Sequence, residues 1–156
     1  MARHKKGKTL SPWLYEDNPE SGFSMPTDDL FRSKRFQQLP AGAQILYLQL
    51  ISWKQRREQR QGLYQALLEY YADQNKKTTE NDLQREANDP TNNRFTFPEK
   101  RMEEYGDVRT IRRNLKVLIE KGYVAVFWAK FRRPTIYRFT YEWKQAKIKN
   151  DHDNLT

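Results

Sequence analysis

A stretch of mixed basic and apolar residues between Asp107 and Gly122 carries the side chains best suited to bind a ligand. The basic and hydroxyl-bearing residues on its polar side are Arg109, Thr110, Arg112, Arg113 and Lys116. A guanidinium group can donate two hydrogen bonds to the major-groove acceptors of guanine, whereas phosphates accept hydrogen bonds from arginine, lysine and threonine alike. These residue types therefore indicate contact with nucleic acid. The alternative interpretation is a surface helix whose charges are merely solvated.

The apolar residues of the same stretch predict the helix that must position those side chains. At 3.6 residues per turn, one face of this helix consists of Val108, Ile111, Leu115, Leu118 and Ile119. Asp107 can cap its first turn, and Gly122 follows as a stop signal. A short helix over about residues 98–105 precedes it, begun by Pro98 and ended by Gly106. This order predicts a helix-turn-helix.

The second helix of such a motif lies in the major groove and meets bases with its N-terminal residues. We therefore expect Arg109, Thr110 and Arg113 to contact bases. Arg112 and Lys116 lie on the flank or further along the helix, and we expect them to contact phosphates.

Two β-prone segments follow the predicted helix at once. Residues 123–128 and 135–140 are rich in β-branched and aromatic side chains, which is typical of paired strands. Lys130, Arg132 and Arg133 cluster in the turn between them, where we expect the tip of a wing to meet DNA. The place of Phe131 stays open, either anchored on the core or exposed. A further short strand is predicted over residues 94–98.

The charge of the chain is uneven. The formal net charge is +9 and the isoelectric point is about 9.7. Residues 109–149 contain twelve basic residues and only two acidic ones, so the excess positive charge is concentrated there. Such a distribution favours a polyanionic partner, with nucleic acid as the first candidate and an anionic membrane surface as the second.

The sequence does not favour an enzyme. Its two histidines, His4 and His152, lie close to the two ends, and neither a glycine-rich phosphate loop nor an HExxH motif is present. Glu99 and Glu103 share a face of the predicted short helix, which we interpret as a solvated face and not as a metal site. We therefore expect no catalytic residue, no cofactor and no metal ion.

The absence of cysteine fits a reducing compartment. No apolar run approaches the roughly 20 residues of a membrane span. The basic N-terminus also lacks the apolar core of a secretion signal. We expect a cytoplasmic protein that does not enter a membrane.

Composition divides the chain into an arm, one domain and a tail. Residues 1–20 predict a flexible basic arm, residues 21–143 a domain with an insertion at about 54–93, and residues 144–156 a flexible tail. The arm either solubilises the chain or contacts phosphates. Its basic residues are Arg3, Lys5, Lys6 and Lys8. The aromatic cluster Trp13–Tyr15 is expected to dock on the core or on a partner.

Within the domain, apolar periodicity predicts a largely buried central helix over residues 43–53 and a second helix near 63–73. The charged segment 54–61 is interpreted as a solvated helical face. Phe31 is expected to point inward. Thr79 is expected to cap a further short helix.

Three runs of sequence resemble a known family. "FTFPEKRMEEYG", "VRTIRRNLKVLIEKGYV" and "RRPTIYRFTYEWK" are similar to the winged-helix domain of replication initiators and replisome organisers of phages, plasmids and integrative elements. "FQQLPAGAQILYLQL" resembles the first helix of that domain. The resemblance implies an α+β, mainly helical fold, namely a winged helix-turn-helix with a C-terminal β-hairpin wing. Residues 54–93 depart from it as a helical and loop insertion.

The resemblance and the charge together predict a sequence-specific, double-stranded DNA-binding protein in replication initiation or transcription control of a mobile genetic element. The alternative is a protein-interaction module on a winged-helix scaffold that inhibits or recruits a nucleic-acid enzyme. The residues that motivate this alternative are Trp13–Tyr15, Tyr64, Tyr70, Tyr71 and Phe131. Further expected partners are a replication or transcription protein and, through residues 54–73, a second copy of the chain.

Overall fold

The computed structural model describes residues 28–140. The helices in this range are α1 (Asp28–Arg32), α2 (Lys34–Gln38), α3 (Ala41–Lys54), α4 (Arg57–Asp73), α5 (Glu80–Asn88), α6 (Glu99–Met102) and α7 (Val108–Glu120). The strands are β1 (Arg94–Thr96), β2 (Val124–Trp128) and β3 (Ile136–Phe139). The chain is therefore α+β and mainly helical, as predicted. The basic arm, Trp13–Tyr15 and the C-terminal tail lie outside the described residues.

The three strands form one antiparallel sheet in the order β1-β3-β2. The predicted ribbon is confirmed as the β2–β3 hairpin, with Val124 opposite Phe139. β1 pairs with the other edge of β3 and places Phe95 opposite Tyr137. The sheet therefore ties the segment before α6 to the hairpin that follows α7.

α3 is the central helix of the larger core because apolar residues occupy most of its circumference. Its buried apolar residues are Ala43, Leu46, Tyr47, Leu50, Ile51 and Trp53. α7 packs against it and buries Ile111, Leu115 and Leu118 in the same core. Gly42 allows this close approach, since a Cβ there would lie 2.6 Å from the side-chain amide nitrogen of Asn114 on α7. The predicted buried central helix is confirmed.

The inward orientation expected for Phe31 is wrong, because its side chain is 46% exposed. α1 has only five residues and turns one side to the core, where Leu30 is fully buried. The ring of Phe31 instead meets that of Phe36 edge-on, with centroids 6.5 Å apart.

The solvated helical face predicted for residues 54–61 is confirmed only in part, since Arg56, Arg57, Glu58 and Gln61 are exposed. The helix breaks between α3 and α4, and two polar residues of this segment are buried, Lys54 at 2% and Gln59 at 0% exposure. Burial, together with the nearby charge of Arg60, lowers the pKa of the Lys54 ammonium group to about 8. A charged run in sequence thus contains part of the folded interior.

Gln59 is buried because its amide satisfies two backbone groups. Its Oε1 accepts a hydrogen bond from the Thr96 N–H at 3.0 Å, and its Nε2 donates to the Lys54 carbonyl at 3.1 Å. The Trp53 indole N–H donates to the Thr96 carbonyl at 2.7 Å. These bonds fasten the α3–α4 joint to β1.

Residues 54–93, the predicted insertion, pack on the hairpin through a second apolar core. α4 and α5 meet the strands there, and the buried residues are Leu63, Ala66, Leu67, Leu83, Ala87, Trp128 and Ile136. The predicted cap of α5 is confirmed, since the Thr79 hydroxyl oxygen accepts from the Asp82 N–H at 3.2 Å.

Among residues 28–140, no helix combines the length and apolar character needed to cross a membrane.

Candidate nucleic-acid interface

The α6–turn–α7 segment forms as its local signals predict. The Asp107 carboxylate accepts a hydrogen bond from the Thr110 N–H at 3.2 Å and so caps α7. Gly106 precedes this cap with φ +150°, and Gly122 ends the helix with φ +82°, both conformations that favour glycine. α6 is shorter than the predicted helix, because residues 103–106 form a turn.

The outer face of α7 carries exposed cations that the described part of the chain does not neutralise. Arg109, Arg113 and Lys116 are exposed, and no carboxylate among residues 28–140 pairs with them. The opposite face of the same helix is buried in the larger core. The packing of α7 therefore holds three positive side chains toward solvent.

Two other residues predicted on this face are engaged within the protein. The Arg112 guanidinium donates to the Glu99 carboxylate at 2.7 Å, which links α7 to α6. The Thr110 hydroxyl donates to the Asp107 carboxylate at 3.2 Å and belongs to the helix cap. The cap could be foreseen from spacing, whereas the pairing of Arg112 depends on the angle between the two helices.

At the hairpin tip, two of the three predicted wing cations are paired with α4. The Lys130 ammonium contacts the Asp73 carboxylate, and the Trp128 indole N–H donates to the same group at 3.1 Å. These hydrogen bonds hold the pKa of the Asp73 carboxyl below its usual value, with that from Lys130 as the larger cause. Arg133 donates to Glu69 at 3.2 Å.

The tip itself presents an aromatic ring beside a cation. Phe131 is 84% exposed, so it does not anchor the hairpin on the core. Arg132 adopts a positive φ of 60°, and its guanidinium carbon lies 5.2 Å from the centroid of the Phe131 ring. Both residues of this pair are exposed at the tip of the hairpin.

Tyr70 and Tyr71 of α4 pack against other residues of the described chain. The ring centroid of Tyr70 lies 5.0 Å from that of Phe127, and the Tyr71 hydroxyl donates to Glu86 at 2.8 Å. Burial raises the pKa of the Tyr71 hydroxyl, and the hydrogen bond to Glu86 adds to this effect. Two of the aromatic residues that suggest a protein partner therefore already have partners within the domain.

The carboxylates around α6 serve structural contacts. Glu104 pairs with Arg101 at 2.9 Å, while Glu99 pairs with Arg112 and Asp107 caps α7. Within residues 28–140, no three histidine, cysteine or acidic side chains converge in a way that could hold a metal ion.

One predicted site remains to be placed. The basic arm with Arg3, Lys5, Lys6 and Lys8 lies outside the described residues. On the described part, the cations best placed for a partner are those on the outer face of α7 and Arg132 at the hairpin tip. Searches against family models, characterised proteins and solved structures find no match.

Proposed function

We propose that this chain is a sequence-specific, double-stranded DNA-binding protein of the winged-helix type. The observation that carries the proposal is the set of exposed cations on α7, namely Arg109, Arg113 and Lys116, with which no carboxylate of residues 28–140 pairs, opposite a buried apolar face. The order α3, β1, α6, α7, β2, β3 with its three-stranded sheet is compatible with a winged-helix layout. A role in replication initiation or transcription control of a mobile element rests on the sequence resemblance alone.

α7 has the dimensions and the residue types for major-groove contact. The groove of B-form DNA is about 12 Å wide and admits one α-helix. Arg109 and Arg113 lie about one turn apart on the exposed face, so both guanidinium groups can reach base edges from the N-terminal half of α7. Lys116, one turn further along, suits a phosphate.

The hairpin contributes less charge than its sequence suggests. Since Lys130 and Arg133 are paired with α4 carboxylates, Arg132 is the tip cation that has no ion-pair partner among residues 28–140. Phe131 adds an apolar surface that can lie against sugars or enter a base step from the minor groove.

Substitution of the two neighbouring tip residues, Phe131 and Arg132, should change the salt dependence of duplex binding differently. We expect Arg132→Ala to weaken duplex binding and to reduce the slope of log affinity against log salt by about 0.9, the value for one phosphate contact. Phe131→Ala should weaken binding while leaving the slope unchanged, because an apolar contact releases no counterion. Fluorescence anisotropy over a series of salt concentrations measures the affinity and the salt slope. If neither variant changes the affinity or the slope, the hairpin is not part of the interface.

The proposal itself is tested by selecting bound sequences from a random duplex pool and then measuring affinity for the selected and a scrambled duplex. We expect enrichment of one sequence and a salt slope of about −2, from the two phosphate contacts assigned to Lys116 and Arg132. A palindromic sequence would indicate that two copies bind together. No duplex binding at low salt, combined with nuclease-resistant retention of a host protein, would favour the protein-interaction module instead.

A further inference from the structure

The insertion contains a polar groove that the DNA-binding proposal does not use. It lies between α4 and α5, has a volume of about 770 Å³ and is lined mainly by Arg57, Arg60, Tyr64, Gln65, Gln84 and Asn88. Pockets for small molecules commonly enclose about 300–1,000 Å³. No acidic side chain is among the described residues that line it. The size fits a ligand of nucleotide dimensions.

The positive charge in this groove is not compensated within the described part of the chain. Neither Arg57 nor Arg60 pairs with a carboxylate of residues 28–140. The Nε atom of Arg60 is buried and has no hydrogen-bond acceptor. A buried donor of this kind is normally satisfied, so an acceptor supplied by a ligand would complete it.

A third cation, Lys54, adds to the positive electrostatic potential near the groove. Lys54 is buried close enough to Arg60 for their like charges to interact, and Asp89 offsets the effect only in part. Guanidinium groups bind phosphate through paired, charge-assisted hydrogen bonds, which suits two arginines spaced by one helical turn. The groove therefore favours an anion with several acceptor oxygens.

We propose that the groove between α4 and α5 binds a nucleotide, either free or as one unit of a single strand, with its phosphate on Arg57 and Arg60. The amides of Gln65, Gln84 and Asn88 offer donors and acceptors to the sugar and the base edge. The phenol ring of Tyr64 offers a face on which a base can stack. The site belongs to the insertion and shares no residue with the outer face of α7.

The test is isothermal titration calorimetry of the whole chain with inorganic phosphate, ATP and a (dT)6 oligonucleotide. We expect ATP or (dT)6 to bind more tightly than inorganic phosphate. Tighter binding of ATP identifies a free nucleotide as the ligand, and tighter binding of (dT)6 identifies a strand. Arg57→Gln and Arg60→Gln should each weaken binding of the preferred probe at least about tenfold, as expected for a lost charged hydrogen bond.

Arg85→Gln is the matched control, since Arg85 is an exposed arginine on α5 that does not line the groove. It should leave the affinity unchanged. Arg60 is partly buried, so thermal unfolding must show that its variant folds. Arg57 is exposed and keeps the test decisive if the Arg60 variant does not fold. Failure of both nucleotide probes to bind, or an equal loss in the Arg85 control, would overturn the proposal.

Duplex binding by the variants distinguishes the proposed nucleotide site in the groove from the proposed DNA-binding function of α7. Arg57→Gln should leave affinity for the selected duplex unchanged, and Arg113→Ala should leave ATP or (dT)6 binding unchanged. If the parent chain binds ATP or (dT)6 but no duplex, the proposed function alone is refuted, whereas duplex recognition by a parent chain that binds neither probe refutes the groove alone.

Discussion

The Arg113→Ala chain is expected to bind the selected duplex about 1–3 kcal/mol more weakly than the parent chain and to tolerate substitutions at one base pair. The physical reason is that a bidentate contact to guanine distinguishes the base as well as adding affinity. Arg113 is exposed and unpaired within the described residues, so it is free to make such a contact. Anisotropy with the selected duplex and single-base variants measures both effects.

Lys116→Ala gives the contrasting result on the same helix. A lysine on a phosphate carries no base information, so we expect a uniform loss across all duplexes and a salt slope reduced by about one. Lys121→Ala removes the same charge just beyond the C-terminal end of α7 and serves as the control for Arg113→Ala. We expect the Lys121 variant to keep its base preference. If Arg113→Ala retained full affinity and full base preference, α7 would not be the base-reading element.

The Gln59→Leu chain is expected to lose about 2–6 kcal/mol of unfolding free energy. Leucine fills a similar volume but leaves the Thr96 N–H and the Lys54 carbonyl buried without partners, and each such group costs about 1–3 kcal/mol. Because total stabilities are about 5–15 kcal/mol, this loss is a large share of the total. Urea unfolding followed by circular dichroism measures it.

Gln65→Leu is the appropriate control, because Gln65 is exposed on the same helix and makes no buried hydrogen bond to β1. We expect its unfolding free energy to stay within about 0.5 kcal/mol of the parent value. A Gln59 variant as stable as this control would mean that water replaces the amide at the joint.

The elements of the candidate interface could be predicted because their signals are local. The apolar spacing of Ile111, Leu115 and Leu118 determines which side of α7 is buried, and Asp107 and Gly122 mark its two ends. Helical periodicity and capping act over three or four residues, so a single sequence shows them. The two strands of the hairpin were recognisable for the same reason.

The free charges of the interface could not be predicted, since ion pairs join segments far apart in sequence. Lys130 and Asp73 are 57 residues apart, and Arg133 and Glu69 are 64 apart. In sequence, all three wing cations look equivalent. Only the packing of α4 on the hairpin distinguishes Arg132 from its two paired neighbours.

The sequence by itself determined the secondary structure around α7, the identity of its buried face and the concentration of positive charge. The tertiary structure decided which of those charges remain unpaired, why Gln59 is buried and where Phe131 points. It also created the groove between α4 and α5. The physical reason is that local patterns select helices and strands, whereas burial and pairing depend on which elements finally meet.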